Sequence, residues 1–192
     1  MKLLPTCSFI FYSRFLSGMY LMLAFSIYAP PSGAQVAPAS QEYQVKAAFL
    51  YNFTRFVEWP ESAFKDPNAD FVIGIVGGNP FNDFLKEVVA GEKVNSHYIN
   101  VVYFRNEKDI TDCHMLYINL KDPDKIASIL KNKTTPYTLT ISDADNFAQW
   151  GGHIRFFKEQ ERIRLQINIA ATKSTRLTIS SKLLSVVQIY DL

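Results

Sequence analysis

The six residues Phe71–Val76 (FVIGIV) constrain this chain more than any other stretch. The run is too short for a helix, rich in β-branched side chains and apolar at nearly every position, so it predicts a strand buried on both faces. Gly77-Gly78-Asn79-Pro80 then turn the chain. A strand with no solvent face belongs in a sheet with helices above and below it, and an α/β architecture is the expectation.

The flanking segments fit that frame. Over 42–58, Val45, Phe49, Phe53 and Phe56 recur at helical steps, with Ala47, Leu50, Tyr51 and Val57 beside them, giving a helix apolar around most of its girth. Trp59-Pro60 stops it, because a residue before proline avoids the helical region. Helices are expected over 81–89 and 122–131, the second opening on the cap and first-turn proline Asp122-Pro123. Strands are expected over 99–104, 115–120 and 137–141, and a turn of helix over 146–150. Residues 153–157 and 163–169 alternate around a charged turn and predict an antiparallel hairpin. A short strand over 177–179 precedes an amphipathic helix from Ser180 or Ser181 to about Ile189. The fold class is therefore α/β: a mostly parallel central sheet with an antiparallel edge hairpin, flanked by helices.

The first 34 residues read as a leader. Lys2 and Arg14 are basic, the 15 residues 15–29 are apolar, and Pro30-Pro31-Ser32-Gly33-Ala34 brings breakers and small residues. A spanning helix needs about 20 apolar residues, so a cleaved signal peptide is favoured over an uncleaved anchor. Cleavage after Ala34 leaves a short linker over 35–41 and one domain over 42–192, exported to an oxidising compartment. Both leader cations leave with it. The chain has 20 basic and 18 acidic residues in all, so the remainder is neutral. A neutral domain argues against a nucleic-acid partner, which requires clustered Lys and Arg. Cys7 is also lost, and Cys113 stays as the lone thiol.

Little in the sequence announces chemistry. The Gly77-Gly78 turn fits neither a dinucleotide fingerprint nor a phosphate loop, leaving a tight strand-to-helix turn or a ligand-facing loop. His97, His114 and His153 stand at no metal-ligand spacing, and no cofactor is expected. Cys113 is either a buried structural thiol or a redox-active one. Asp143 and Asp145 suit turn capping more than acid–base work. The aromatic residues, 15 Phe and 10 Tyr, exceed one small core's needs, so some are expected at a protein interface.

Longer motifs carry more. Glu42-Tyr43-Gln44-Val45-Lys46-Ala47-Ala48-Phe49-Leu50-Tyr51-Asn52-Phe53, followed by Phe56-Val57-Glu58-Trp59-Pro60, resembles the opening of the YfiR-like family of exported bacterial proteins. Ile73-Gly74-Ile75-Val76-Gly77, Asn79-Pro80-Phe81, Thr140-Ile141-Ser142-Asp143, Gly151-Gly152-His153-Ile154 and Ile179-Ser180-Ser181-Lys182-Leu183-Leu184 follow in the family's order. The resemblance implies a non-catalytic periplasmic regulator that represses an inner-membrane diguanylate cyclase by direct binding, lowering cyclic di-GMP and biofilm signalling. It also implies a capacity to form a homodimer and to respond to an outer-membrane lipoprotein or to redox state. The best-known member has two internal disulfides; here only Cys113 matches a family cysteine. Arg176 stands where the family usually has glycine, and Lys173 where arginine is common.

Tyr51, Phe53, Phe56 and Trp59 near the start, with Leu183, Leu184, Val187 and Ile189 near the end, are the candidate partner-binding residues. Arg55, Glu58, Lys173 and Arg176 are the candidate ligand-pocket residues. A periplasmic small-molecule sensor is the alternative function.

Overall fold

The computed structural model describes residues 38–132 and 134–191; the leader over residues 1–34 lies outside them. Helix α1, Pro38–Phe56, begins inside the stretch expected as linker. A proline in the first turn needs no partner for its missing N–H, and Ala39 and Ser40 cost a helix little. The buried stripe Ala47, Leu50 and Phe53 lies on the sheet side. The helix stops at Phe56 because Val57–Glu58 (β1) turns extended and pairs antiparallel with Thr178–Ile179 (β9), Val57 opposite Ile179.

The main sheet has eight strands. In chain order these are β2 (Phe71–Val76), β3 (Lys93–Val94), β4 (His97–Phe104), β5 (Met115–Ile118), β6 (Leu139–Ser142), β7 (Ile154–Glu159), β8 (Arg162–Asn168) and β10 (Gln188–Tyr190). Their spatial order is β10-β8-β7-β6-β5-β2-β4-β3. Neighbours run parallel except β3–β4 and the β7–β8 hairpin. That hairpin turns on Gln160 and Glu161, both at positive φ, which matches the twist of the two strands.

Alternation along β2 and β5 divides the core between the two faces of the sheet. Phe71, Ile73, Ile75, Met115 and Tyr117 pack with α1 and with α2 (Phe84–Val89). Val76, Leu116 and Ile118 pack with Ile126 and Ile129 of α3 (Pro123–Asn132) and with Phe147 in the turn after β6. The continuous apolar character of FVIGIV is thus used on both sides. Asp122 caps α3 as expected, accepting from the amides of Asp124 and Lys125. Helix α2 starts three residues later than expected because Asn82 takes a positive φ of 51°.

The C-terminus corrects one expectation. The helix proposed to reach Ile189 is only α5, Ser181–Leu184, following the short α4, Ile169–Lys173. Beyond it the chain extends as β10, parallel to β8, with Ile189 opposite Ile167. Val186, Val187, Ile189 and Tyr190 are β-branched or aromatic and favour a strand. The outer edge of β8 offers backbone groups that such a strand satisfies.

Candidate functional site

The two ends of the domain meet. The Ser180 amide donates to the Phe56 carbonyl at 2.8 Å, next to the β1–β9 pair. Most of those eight residues, however, serve the interior. Phe53, Trp59 and Leu183 are buried, so the folded chain offers none of them to a partner. The Trp59 indole N–H donates to the carbonyls of Tyr137 (2.9 Å) and His114 (3.2 Å), and its ring meets Phe71 edge to face. Tyr51, Phe56, Leu184 and Val187 are half-buried against the same core. Ile189 is 50% exposed and its neighbour Val186 72%. Val186 escaped sequence reasoning because a helix to Ile189 would have given it no distinctive place.

The four polar candidates, Arg55, Glu58, Lys173 and Arg176, are all exposed and do not converge. Arg176 contacts Tyr137: its guanidinium lies 5.9 Å from the centre of the ring and 3.4 Å from the hydroxyl. Tyr137 lines a cleft of about 550 Å³ at the amino ends of β2 and β5, with Phe64, Val72, Cys113 and His114.

Two histidines the linear spacing kept apart come together around Phe64 in this cleft. His97 stacks on the ring with centroids 3.6 Å apart, and His114 at 4.5 Å. His114 Nδ1 accepts the Val72 amide at 3.0 Å, so the proton resides on Nε2, which is buried near the Ala63 backbone without a well-formed hydrogen bond. Burial pushes the His114 pKa down to about 4. His153, on the other side of β6, accepts the Thr140 amide and is likewise driven by burial to about 4. Cys113 is 5% exposed, and burial, reinforced by the Asp112 charge, pushes its thiol up to about 12. The thiolate is the reactive species, so the structure favours the structural reading of Cys113 over the redox-active one.

A second crevice forms at the opposite, carboxyl edge of the sheet. From β2 the chain passes to β4 on one side, then returns to build β5, β6 and β7 on the other, so the strand order reverses between β2 and β5. Open α/β sheets bind ligands at such a reversal, but this crevice lies over the carboxyl ends of β5 and β6, beside β7, and the reversal itself is closed by a tight turn. Gly77 makes the turn there at φ 91°; a Cβ on it would sit 2.2 Å from the Asn119 carbonyl oxygen. Close packing against Asn119, whose amide donates to Val76 O at 2.8 Å, accounts for this glycine. Strand β7 enters beside the last two residues of β6, so residues 156–159 project past that edge and wall the crevice.

Helix α1 closes the crevice from above with Glu42, Tyr43 and Lys46. Lys46 is 2% exposed, and its ammonium donates to Glu42 Oε1 and Asp143 Oδ2, each at 2.7 Å. The Tyr43 hydroxyl donates to the same Asp143 oxygen at 3.3 Å. Burial alone would lower the Lys46 pKa, but the bonds to Asp143 and Glu42 outweigh it and hold the pKa above the ordinary lysine value. Asp143 therefore anchors α1; the turn it was expected to cap is held by Ser142, whose hydroxyl accepts the Ala144 amide. Asp145 pairs with Arg155, and Lys158 reaches Glu42 at 3.4 Å. The available sequence signal was a lysine on the apolar girth of α1, four residues after a glutamate.

The family model described as YfiR/HmsC-like matches residues 43–188. No curated protein matches the chain significantly. The match covers well over half of the sequence, and the chain belongs to the YfiR/HmsC-like family.

Proposed function

We propose that this YfiR/HmsC-like protein is a periplasmic regulator that restrains a membrane-bound diguanylate cyclase by binding the cyclase's periplasmic region. Cyclic di-GMP, and biofilm signalling with it, falls while the complex holds. The observation that carries this reading is the family match over residues 43–188, which spans nearly the whole described domain. The basic-apolar-small leader supports export. Among the described residues no helix is long and apolar enough to cross a membrane. Regulation by contact also suits the chemistry: the His114 and His153 rings are neutral and the Cys113 thiol is protonated at pH 7.

The contact surface we assign is the β10 edge. Strand β10 is the outermost strand of the sheet and carries Ile189, next to Val186, the most exposed large apolar side chain named above. An open strand edge takes up a partner's extended segment through main-chain hydrogen bonds. A second copy or an outer-membrane lipoprotein would compete for the same edge. The direct test is co-elution of residues 35–192 with the periplasmic region of a cyclase encoded beside it. Co-elution that Ile189→Asp abolishes supports the reading, and separate elution of the wild-type proteins contradicts it.

The sensor alternative has its own observation, the aromatic cleft lined by His114, whose Nε2 makes no well-formed hydrogen bond. Saturable heat on titration with a planar nitrogen heterocycle, lost in His114→Phe, would favour it.

A further inference from the structure

Strand β8 is longer than the strand that covers it. It runs over Arg162–Asn168, and β10 pairs only with Gln166, Ile167 and Asn168. Among the described residues no strand lies on the outer side of residues 162–165. The hydrogen-bond phase fixes which groups this leaves open. The Asn168 amide donates to the His153 carbonyl, on the β7 side, at 2.9 Å. Opposed residues in an antiparallel pair alternate between bonded and non-bonded, so Arg162, Arg164 and Gln166 also bond toward β7. The backbone groups of Ile163, Leu165 and Ile167 therefore point outward. Those of Ile167 meet β10, where Ile189 lies opposite. The N–H and C=O of Ile163 and the N–H of Leu165 find no partner among the described residues.

Beside this open stretch lies an apolar groove of about 490 Å³. Val45 and Phe49 of α1 line it together with Ile163, and Lys158, Glu161 and Arg162 surround them. The exposed large apolar side chains among the described residues are Val45, Tyr98, Val186 and Ile189. All but Tyr98 border the outer side of β8: Val45 in the groove, Ile189 opposite Ile167, and Val186 just before β10. Open backbone groups next to an apolar groove fit an extended chain. Its main chain can pair with β8 while every second side chain falls on the α1 face. The charges add a preference. Lys158 is bridged to Glu42 at 3.4 Å and to Glu161 at 3.5 Å, and Arg164 to Glu159 at 3.3 Å. Arg162 has no ion-pair partner among the described residues, so the uncompensated charge at the open edge is a cation. Charged side chains on an edge strand discourage unselective pairing, and this one favours a carboxylate on the incoming chain.

We propose that the open half of β8 binds an extended acidic segment of a partner protein as an added strand. Its backbone pairs with Ile163 and Leu165, an apolar side chain fills the groove at Val45 and Phe49, and a carboxylate meets Arg162. On the repressor reading, on which this rests, the segment belongs to the periplasmic region of the cyclase, and the contact surface continues from β10 onto β8.

Amide hydrogen exchange followed by NMR reads the slot directly, on residues 35–192 alone and with the periplasmic region of the cyclase encoded beside it. The Ile163 and Leu165 amides are expected to exchange rapidly in the free protein and about tenfold or more slowly in the complex, as newly bonded amides do. Val45→Glu, on the exposed side of α1, should leave the fold intact and weaken the complex about tenfold or more, as for loss of an apolar anchor. A complex in which both amides keep their free rates overturns the β8 site and leaves repression standing. Wild-type affinity in Val45→Glu does the same. Failure of the two proteins to associate overturns both. Amides that are slow in the concentrated free protein and fast on dilution would give the slot to a second copy of this chain and overturn the assignment to a partner.

Discussion

Lys46 places its ammonium 2.7 Å from the carboxylate of Asp143, 97 positions further along the chain. The bond joins the first half of α1 to the carboxyl end of β6 and sets the height of the crevice between them. Its two ends differ in surroundings: the Lys46 side chain is 3% exposed, whereas Glu42 and Asp143 keep 25% and 28% of theirs open to water.

That asymmetry orders the mutants. Lys46→Met leaves two carboxylates that can turn to solvent and should cost about 1–2 kcal/mol, less than the usual penalty for breaking a buried pair. Glu42→Gln with Asp143→Asn strands a buried ammonium and should cost about 3–5 kcal/mol. Urea denaturation measures both, and a cheaper double variant would contradict the assignment. The pH windows follow from the same bonds. The Lys46 pKa is raised, so its contribution is complete below the unfolded value of 10.5 and is lost as pH rises beyond it. The Glu42 pKa is lowered, chiefly by its hydrogen bond to Lys46, so its contribution is present above 4.5 and fades as pH falls.

Mild acid should destabilise the fold through its histidines. His114 and His153 fall from 6.5 in the unfolded chain to about 4 when folded. Between those values the unfolded chain binds more protons, so stability is full above pH 6.5 and declines toward pH 4. Each ring contributes on the order of 3 kcal/mol to that decline. Denaturation series at pH 7, 5.5 and 4 read it directly. His114→Asn, whose side-chain carbonyl can accept the Val72 amide, should flatten the slope by about half.

Cys113 should behave as an inert thiol. A disulfide-exchange reagent at neutral pH is expected to modify it slowly in the native protein and rapidly in urea, because the thiolate is suppressed and the sulfur enclosed. A dimer that disappears on reduction and in Cys113→Ser would reverse that conclusion and restore redox control.

Gly77→Ala tests the turn where the strand order reverses. A side chain there meets both a positive φ of 91° and the Asn119 carbonyl oxygen at 2.2 Å from its Cβ. The conformational term alone is about 1–2 kcal/mol, and the backbone clash should raise the loss to about 3 kcal/mol or more. Gly78→Ala meets only the conformational term, since its Cβ would lie 3.9 Å from the Asn119 side-chain amide.

The sheet and its two covered faces were legible because apolar runs such as Phe71–Val76 state their own burial. The long terminal motifs drew attention to the residues at the domain's two ends, but the fold pairs those ends and puts Phe53 and Trp59 inside rather than on an interface. Strand β10 was hidden: Val186 to Tyr190 satisfies helical spacing as well as strand preference, and only the free edge of β8 decides between them. The Lys46 crevice was hidden for a different reason. Its members come from α1, the turns after β5 and β6, and β7, and a lysine among apolar neighbours gives no sign of which carboxylate it will meet. His97 and His114 show the same limit, since Phe64 brings together rings that stand 17 positions apart in sequence.

Cyclic di-GMP in living cells tests the regulatory account most directly. In a strain that keeps the cognate cyclase, deletion of this protein should raise cyclic di-GMP. The wild-type gene should restore the low level, and Ile189→Asp, exported and folded, should not. Unchanged cyclic di-GMP on deletion would contradict repression itself. Full restoration by Ile189→Asp would contradict the β10 edge as the surface that delivers it.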